Sequence, residues 1–120
     1  MNEFFRMVDV DLIIPEEMRQ WYATGVPAPA TPGSGAVDLF AAEDVFLAAG
    51  QCLPVKTGLR MHMRTPGIAA VVLPRYGLGA KNGLVLGNLV GFIDNDYQGE
   101  IICYMWNRNP FVGGERITIQ

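Results

Sequence analysis

The stretch LVLGNLVGFIDNDYQGEI, residues 84–101, decides how this chain is expected to fold. Two apolar runs, 84–86 and 89–93, stand on either side of a Gly87-Asn88 pair, which is typical of a tight turn. The second run ends in the polar and aromatic sequence DNDYQG. This pattern predicts a β-hairpin with an acidic and aromatic tip, and by itself it describes a solvated surface hairpin equally well.

Composition and strand-like segments predict an all-β fold. The 120 residues suffice for one domain, and 14 glycines and 8 prolines suit short strands joined by tight turns. No segment of ten or more residues has a helical hydrophobic period, although a short helical turn is expected within the dozen residues after Glu17. We therefore predict about ten short strands in a sandwich or a jelly-roll-like barrel. Besides the central stretch, strands are predicted at 7–14, 37–41, 45–47, 52–55, 58–63, 68–73, 101–106 and 116–119.

Charge, cysteine content and hydropathy restrict the partners and the compartment. The net charge is −3, with only 9 Lys and Arg residues, so we expect no nucleic-acid groove. Cys52 and Cys103 lie in apolar segments without a CxxC pattern, which predicts reduced core residues, and the single histidine, His62, is expected to be structural. We find neither a signal-peptide pattern nor an apolar run near the roughly 18 residues of a membrane span. These features predict no membrane association and a cytoplasmic protein, in the host cytoplasm if the gene belongs to a phage.

Four sequence blocks carry a resemblance to a known family. They are SGAVDL at 34–39, LPRYGLGAKNG at 73–83, the central stretch at 84–101 and GERI at 114–117. In this order and spacing they resemble the trimeric dUTP diphosphatases (dUTPases) of the bacterial or phage type. The resemblance implies one dUTPase-like domain over residues 1–120, an all-β fold of the β-clip or jelly-roll-like kind, and a homotrimer whose sites are shared between subunits.

The implied reaction converts dUTP and water into dUMP and pyrophosphate with Mg²⁺, which is expected to be held mainly by the substrate phosphates and water. The resemblance assigns Asp94 to the attacking water, which a carboxylate can orient and deprotonate. It lays the ring of Tyr97 against the deoxyribose, so that a ribose hydroxyl is excluded. Asn88 and the surrounding backbone are expected to read uracil, and Gly87 and Gly99 allow that backbone to approach closely.

A second group of residues is assigned by the resemblance to the phosphates. The guanidinium of Arg75 can bridge Asp94 or a phosphate. Tyr76 and Gly77 fall in the block that contacts the phosphates, where the family usually has a serine in place of this tyrosine. Asp38 corresponds to the aspartate of the first block, which in the family lies beside the metal and the triphosphate.

Three departures from the family pattern leave more than one interpretation open. Tyr76 replaces the serine, Gln120 comes one place later than in the family's GERIAQ block, and the sequence ends at Gln120 without the Gly- and Arg-rich fifth motif that closes over the triphosphate. The chain is then a slow or conditionally active dUTPase, an enzyme whose arm is encoded elsewhere, or a catalytically weak or inactive dUTPase-like trimer that binds nucleotide or regulates a partner. The related dCTP deaminases are disfavoured because Tyr104 stands where they have their catalytic glutamate. Asp96 is interpreted as a solvated turn carboxylate.

Overall fold

The computed structural model describes residues 8–22, 24–110 and 116–119. Over these residues the chain forms eight strands, one short α-helix and one π-helical turn. The helix α1 spans Glu16–Arg19, and the π-helical turn spans Leu78–Asn82. The strands are β1 Val10–Ile13, β2 Val45–Leu47, β3 Cys52–Met63, β4 Ala70–Val72, β5 Leu84–Leu86, β6 Gly91–Ile93, β7 Glu100–Asn107 and β8 Ile117–Ile119.

These strands form one larger sheet and two small ones. The four-stranded sheet has the order β1-β3-β7-β5, and its neighbouring strands are all antiparallel. Strand β2 pairs with β8, with Phe46 opposite Thr118, and β4 pairs with β6, with Val71 opposite Phe92. Strands therefore dominate the described residues, which confirms the all-β prediction. A short helical turn is present as predicted, although α1 begins at Glu16, two residues before the predicted range.

The predicted hairpin of the central stretch does not form, so that prediction is wrong. Strand β5 pairs with β7, with Leu86 opposite Met105, whereas β6 pairs with β4. The turn between β5 and β6 contains Leu89 at a φ of 68°, which is uncommon for any residue other than glycine. The Leu89 N–H donates to the Leu86 carbonyl at 3.0 Å. This turn redirects the chain, so that it leaves one sheet and enters another instead of folding back on itself.

A single strand of 12 residues, β3, covers two of the predicted strands. Gly58 has a φ of +73°, and the register with β7 shifts between Lys56 and Arg60, which identifies a β-bulge. Thr57 is buried in this bulge, and its hydroxyl donates to the Ile101 carbonyl at 2.6 Å. Because the bulge bends the strand without ending it, the two predicted segments join.

Three further expectations differ from the structure. Residues 37–41 form no strand. Strand β1 was expected to be half-buried, but all four of its residues are exposed; among the described strands it lies at the edge of the four-stranded sheet and pairs with β3. Cys52 was expected in the core and is exposed at the start of β3, whereas Cys103 is half-buried, and both thiols are free.

The core lies where α1 packs against the four-stranded sheet. Met18 of α1 is buried close to the bulge, since a Cβ added to Gly58 would lie 3.2 Å from its Cγ. Tyr22 packs edge-on against Phe40, with ring centroids 5.1 Å apart. Trp21, the residue before Tyr22, is 55% exposed and lies outside this core. The core cluster consists of Ile14, Met18, Tyr22, Leu59 and Ile101, and the last of these anchors β7 beneath the site described next.

Candidate active site

A cleft of about 410 Å³ runs between the end of β6 and the first half of β7. Asp94, Tyr97 and Asn88 all line it, so the structure brings together three of the residues predicted from the central stretch. Its walls also include the exposed apolar side chains of Phe92 and Tyr104. This region is called the Asp94 cleft below. An apolar cleft of this volume with a few polar groups is typical of a small-molecule site.

Asp94 comes directly after the last residue of β6, where the chain turns sharply. Its backbone carbonyl accepts the Tyr97 N–H at 3.1 Å, which closes the turn. The next residue, Asn95, donates from Nδ2 to the carbonyls of Met63 and Thr65, at 3.1 and 2.6 Å. The Asp94 side chain is exposed and forms no hydrogen bond or ion pair with any other described residue. Both of its carboxylate oxygens are therefore available to accept hydrogen bonds from water.

The ring of Tyr97 is held in place by its own turn. Its hydroxyl donates to the Glu100 carbonyl at 2.7 Å. A Cβ added to Gly99 would lie 2.5 Å from the Tyr97 hydroxyl oxygen, so this ring position requires glycine there. The Glu100 carboxylate accepts the Gly58 N–H at 3.0 Å, which ties the same turn to the bulge of β3. The ring is fixed at one end and remains 45% exposed along the cleft.

The turn after β5 forms another part of the Asp94 cleft. The Gly87 N–H donates to the Tyr104 carbonyl at 2.8 Å. A Cβ on Gly87 would lie 2.6 Å from Cys52 Sγ, so any other residue here would force this thiol to move. Asn88 donates from Nδ2 to the Val90 carbonyl at 3.1 Å, which uses one of the two N–H groups of its amide. The amide oxygen and the second N–H are left to face a ligand.

Arg75 and Asp38 lie on a second cleft, of about 170 Å³, called the Arg75 cleft below. Their side chains form a long ion pair, with Nε and Oδ1 3.8 Å apart, and both are more than half exposed. A pair of this kind contributes little to stability, so both groups remain available to other partners. Cys103 lines both clefts, and burial raises the pKa of its thiol, which keeps this shared wall uncharged.

The remaining predicted residues are distributed as follows. Tyr76 is 92% exposed. Gly77 immediately precedes the π-helical turn, and a Cβ added to it would meet nothing within 4 Å. The structure thus separates Arg75 from Asp94 within one chain, since each lines a different cleft. The predicted fourth block at 114–117 and Gln120 fall largely outside the described residues, which include only the last two residues of that block.

Sequence reasoning missed the structural role of Asn95 and of Glu100. In the sequence, Asn95 is an amide between two carboxylates, which indicates no particular partner. Its partners Met63 and Thr65 are about 30 positions away. The Glu100 carboxylate likewise bonds a backbone group 42 positions away. Neither contact follows a local spacing rule, so no sequence pattern could have indicated them.

The described residues contain neither a side-chain cluster suited to a metal ion nor a membrane-spanning helix. No group of three or more His, Cys, Asp or Glu side chains among them could hold a metal ion. Within the same residues, no helix has the length and apolar character needed to cross a membrane.

Comparison with known proteins identifies the family. A dUTPase family model matches residues 23–119. A deoxyuridine 5'-triphosphate nucleotidohydrolase of Pseudomonas paraeruginosa is 56% identical over 99 residues, which cover 78% of this chain. The match covers 66% of that relative, so the chain spans slightly less than two thirds of its length.

Two solved structures share the fold. A dUTPase from Streptococcus mutans superimposes with a TM-score of 0.73 at 28% identity, covering 92% of this chain and 84% of that one. The dUTPase of Staphylococcus bacteriophage 80alpha, solved with dUPNHPP, gives 0.70 at 22% identity, covering 83% and 54%. The all-β architecture described above is thus the β-clip, jelly-roll-like fold of bacterial and phage dUTPases. With a family match over most of its length and a relative at 56% identity, this chain belongs to the dUTPase family.

Proposed function

We propose that this chain forms the catalytic body of a dUTP diphosphatase, which hydrolyses dUTP to dUMP and pyrophosphate. The observation that carries the proposal is the Asp94 carboxylate, which lines the cleft beside Tyr97 and Asn88 with no described residue bound to either oxygen. A carboxylate committed to a structural ion pair would be a poor base, whereas this one is free to take a proton from water. Membership of the dUTPase family supports the same reaction.

In the proposed mechanism Asp94 orients one water molecule and accepts its proton. The water oxygen forms a bond to the innermost phosphorus of dUTP, and the bond from that phosphorus to the bridging oxygen breaks. Pyrophosphate leaves with the electron pair of the broken bond, and the proton remains on Asp94 until solvent removes it. General-base catalysis of this kind contributes roughly 10²- to 10⁴-fold in rate.

Uracil and deoxyribose recognition is assigned to Asn88 and Tyr97. The remaining N–H and the oxygen of the Asn88 amide can pair with a uracil carbonyl and with N3–H. Cytosine reverses this pattern and would leave buried groups without partners, which discriminates strongly. The Tyr97 ring is fixed by its hydrogen bond to Glu100 and therefore resists displacement by a ribose hydroxyl.

The separation of the two clefts supports a homotrimer with shared sites. In one chain Arg75 lines the smaller cleft with Asp38, and neither lines the cleft of Asp94. In such an assembly, Arg75, Tyr76 and Gly77 of one copy would approach the Asp94 cleft of another. The guanidinium of Arg75, the general base Asp94 and the uracil pocket would then belong to one site. Exposed apolar side chains, for example that of Val71, would then be buried between copies.

The proposed metal is Mg²⁺, bound mainly through the phosphates. Asp38 offers a half-exposed carboxylate beside Arg75, and an oxygen donor of this kind suits Mg²⁺ that keeps several waters. When bound there, the ion would neutralise phosphate charge during the displacement. Asp38 and Arg75 lie within a long ion pair of each other, so both groups could contact the same phosphate and metal.

Pyrophosphate release from dUTP in the presence of Mg²⁺ tests the proposal. The wild type is compared with Asp94→Asn, and Asp96→Asn serves as a control that changes a neighbouring turn carboxylate in the same way. We expect Asp94→Asn to lose roughly 10²-fold or more of kcat and the control to keep it. Equal rates for the wild type and Asp94→Asn would overturn the assignment. Nucleotide binding without turnover by the wild type would point instead to a regulatory trimer.

A further inference from the structure

One side chain ties the turn that carries Asp94 to a distant part of the chain. Asn95 is half-buried, and its Nδ2 donates to the Thr65 carbonyl at 2.6 Å and to the Met63 carbonyl at 3.1 Å. A carboxamide has two N–H donors, and both are used here. Asn95 thus attaches the turn after β6 to the end of β3, and it does so at the residue directly after Asp94, the candidate general base.

The chemistry of this anchor is specific to an amide. Aspartate has the same shape as Asn95, but an ionised carboxylate has no donor and would be repelled by the carbonyl oxygens of Met63 and Thr65. Alanine would remove the anchor and leave the two carbonyls facing solvent or a void. Among the described residues, the turn would then be held by the last β6 pair, Ile93 with Ala70, by the Tyr97 N–H, and further along by the bonds of Glu100. None of these acts on the side chain that follows Asp94.

The segment to which Asn95 is attached is itself firmly held. Met63 pairs with Val10 of β1 in the edge ladder. The Arg64 N–H donates to the Asp9 carbonyl at 3.2 Å, and its guanidinium donates to Asp11 Oδ2 at 2.9 and 2.7 Å. Strands β1 and β3 therefore provide a fixed support on the far side of the anchor.

We propose that Asn95 is a positioning residue that fixes Asp94 relative to the substrate, an inference that rests on the proposed function. Asn95 does not touch the reacting atoms, and it acts only by limiting where the adjacent carboxylate can lie. A displacement of the order of 1 Å at a catalytic group can cost roughly 10²-fold in rate.

This role predicts an effect on kcat and not on substrate binding. The Tyr97 ring has its own hydrogen bond to Glu100, and Asn88 has its own bond to Val90, so both nucleoside contacts are supported without the anchor. Loss of the anchor therefore leaves the ground-state complex intact and misplaces only the base. A change confined to kcat is the kinetic mark of an interaction required in the transition state.

The experiment compares Asn95→Asp and Asn95→Ala with the wild type and with the matched control Asp96→Asn, which alters the next residue without touching the anchor. Steady-state dUTP hydrolysis is measured per folded molecule, and hydrogen exchange is followed at the Tyr97 amide, whose bond to the Asp94 carbonyl closes the turn. We expect both Asn95 variants to lose roughly 10- to 100-fold in kcat with KM within about twofold of the wild type. Exchange at Tyr97 should accelerate in these two variants and not in the control.

Two results would overturn the positioning role. One is an unchanged kcat, or a rise in KM that accounts for the whole loss, in variants that fold. The other is failure of both variants to fold, which would assign Asn95 to stability alone. If the wild type releases no pyrophosphate from dUTP, the proposed function fails, and the exchange measurement still decides whether Asn95 holds the turn.

Discussion

Replacing Gly99 with alanine should disturb the candidate site by displacing the ring of Tyr97. The new Cβ would lie 2.5 Å from the Tyr97 hydroxyl oxygen and 2.7 Å from the ring carbon that bears it. Restoring an ordinary contact of 3.4 Å requires the hydroxyl to retreat by about 0.9 Å. A shift of that size can stretch the 2.7 Å bond to the Glu100 carbonyl beyond hydrogen-bonding distance. Stability should fall by only about 1 kcal/mol, the net contribution of one such bond.

The functional loss should be larger than the stability loss. If the ring excludes the ribose hydroxyl, its retreat should reduce the preference for dUTP over UTP by roughly 10-fold. The assay is the ratio of kcat/KM for the two nucleotides, with thermal unfolding measured in parallel. Gly33→Ala is a suitable control, because a Cβ at Gly33 would meet nothing within 4 Å. An unchanged ratio in a variant that folds would refute the assignment of Tyr97 to sugar discrimination.

Three further predictions concern the bulge of β3, two buried ionisable side chains and the proposed metal. Thr57→Val should lower the free energy of unfolding by about 1–3 kcal/mol in urea titrations, because it leaves the Ile101 carbonyl and the Leu59 N–H of the bulge without the hydroxyl that bonds both. Burial raises the pKa of the Cys103 thiol and, outweighing a hydrogen bond from the Phe40 N–H, that of Tyr22. The folded state therefore holds these two protons more tightly than the unfolded state does. Their contribution to the free energy of unfolding should be fully present below about pH 9 and should decline at higher pH. Thermal unfolding measured across that pH range checks this. Chelation of Mg²⁺ with EDTA should lower dUTP hydrolysis by at least about 10-fold, and adding Mg²⁺ back should restore it.

The sequence was most informative where partners are close together in the chain. Asn88, Asp94 and Tyr97 lie within ten positions of one another, so the resemblance could assign all three to one site, and the structure places them on one cleft. The all-β class followed from short apolar runs separated by glycine and proline. Gly99 was expected to let the backbone approach uracil, and that stays a prediction; what the structure shows is that Gly99 makes room for the ring of Tyr97.

Contacts between distant segments could not be anticipated. The pairing of β5 with β7 and of β6 with β4 depends on the left-handed backbone of Leu89, which no residue preference indicates for leucine. The anchor of Asn95 depends on carbonyls about 30 positions earlier. The separation of Arg75 from Asp94 depends on how the sheets are arranged, because both residues belong to blocks that the resemblance assigns to one site.

A crystal structure with a non-hydrolysable dUTP analogue and Mg²⁺ tests most directly whether the Asp94 cleft is the nucleotide site. We expect the uracil beside Asn88, the sugar against the Tyr97 ring, and a water bound to Asp94 in line with the innermost phosphorus. An analogue bound away from these residues, or with its innermost phosphorus out of reach of Asp94, would contradict the account.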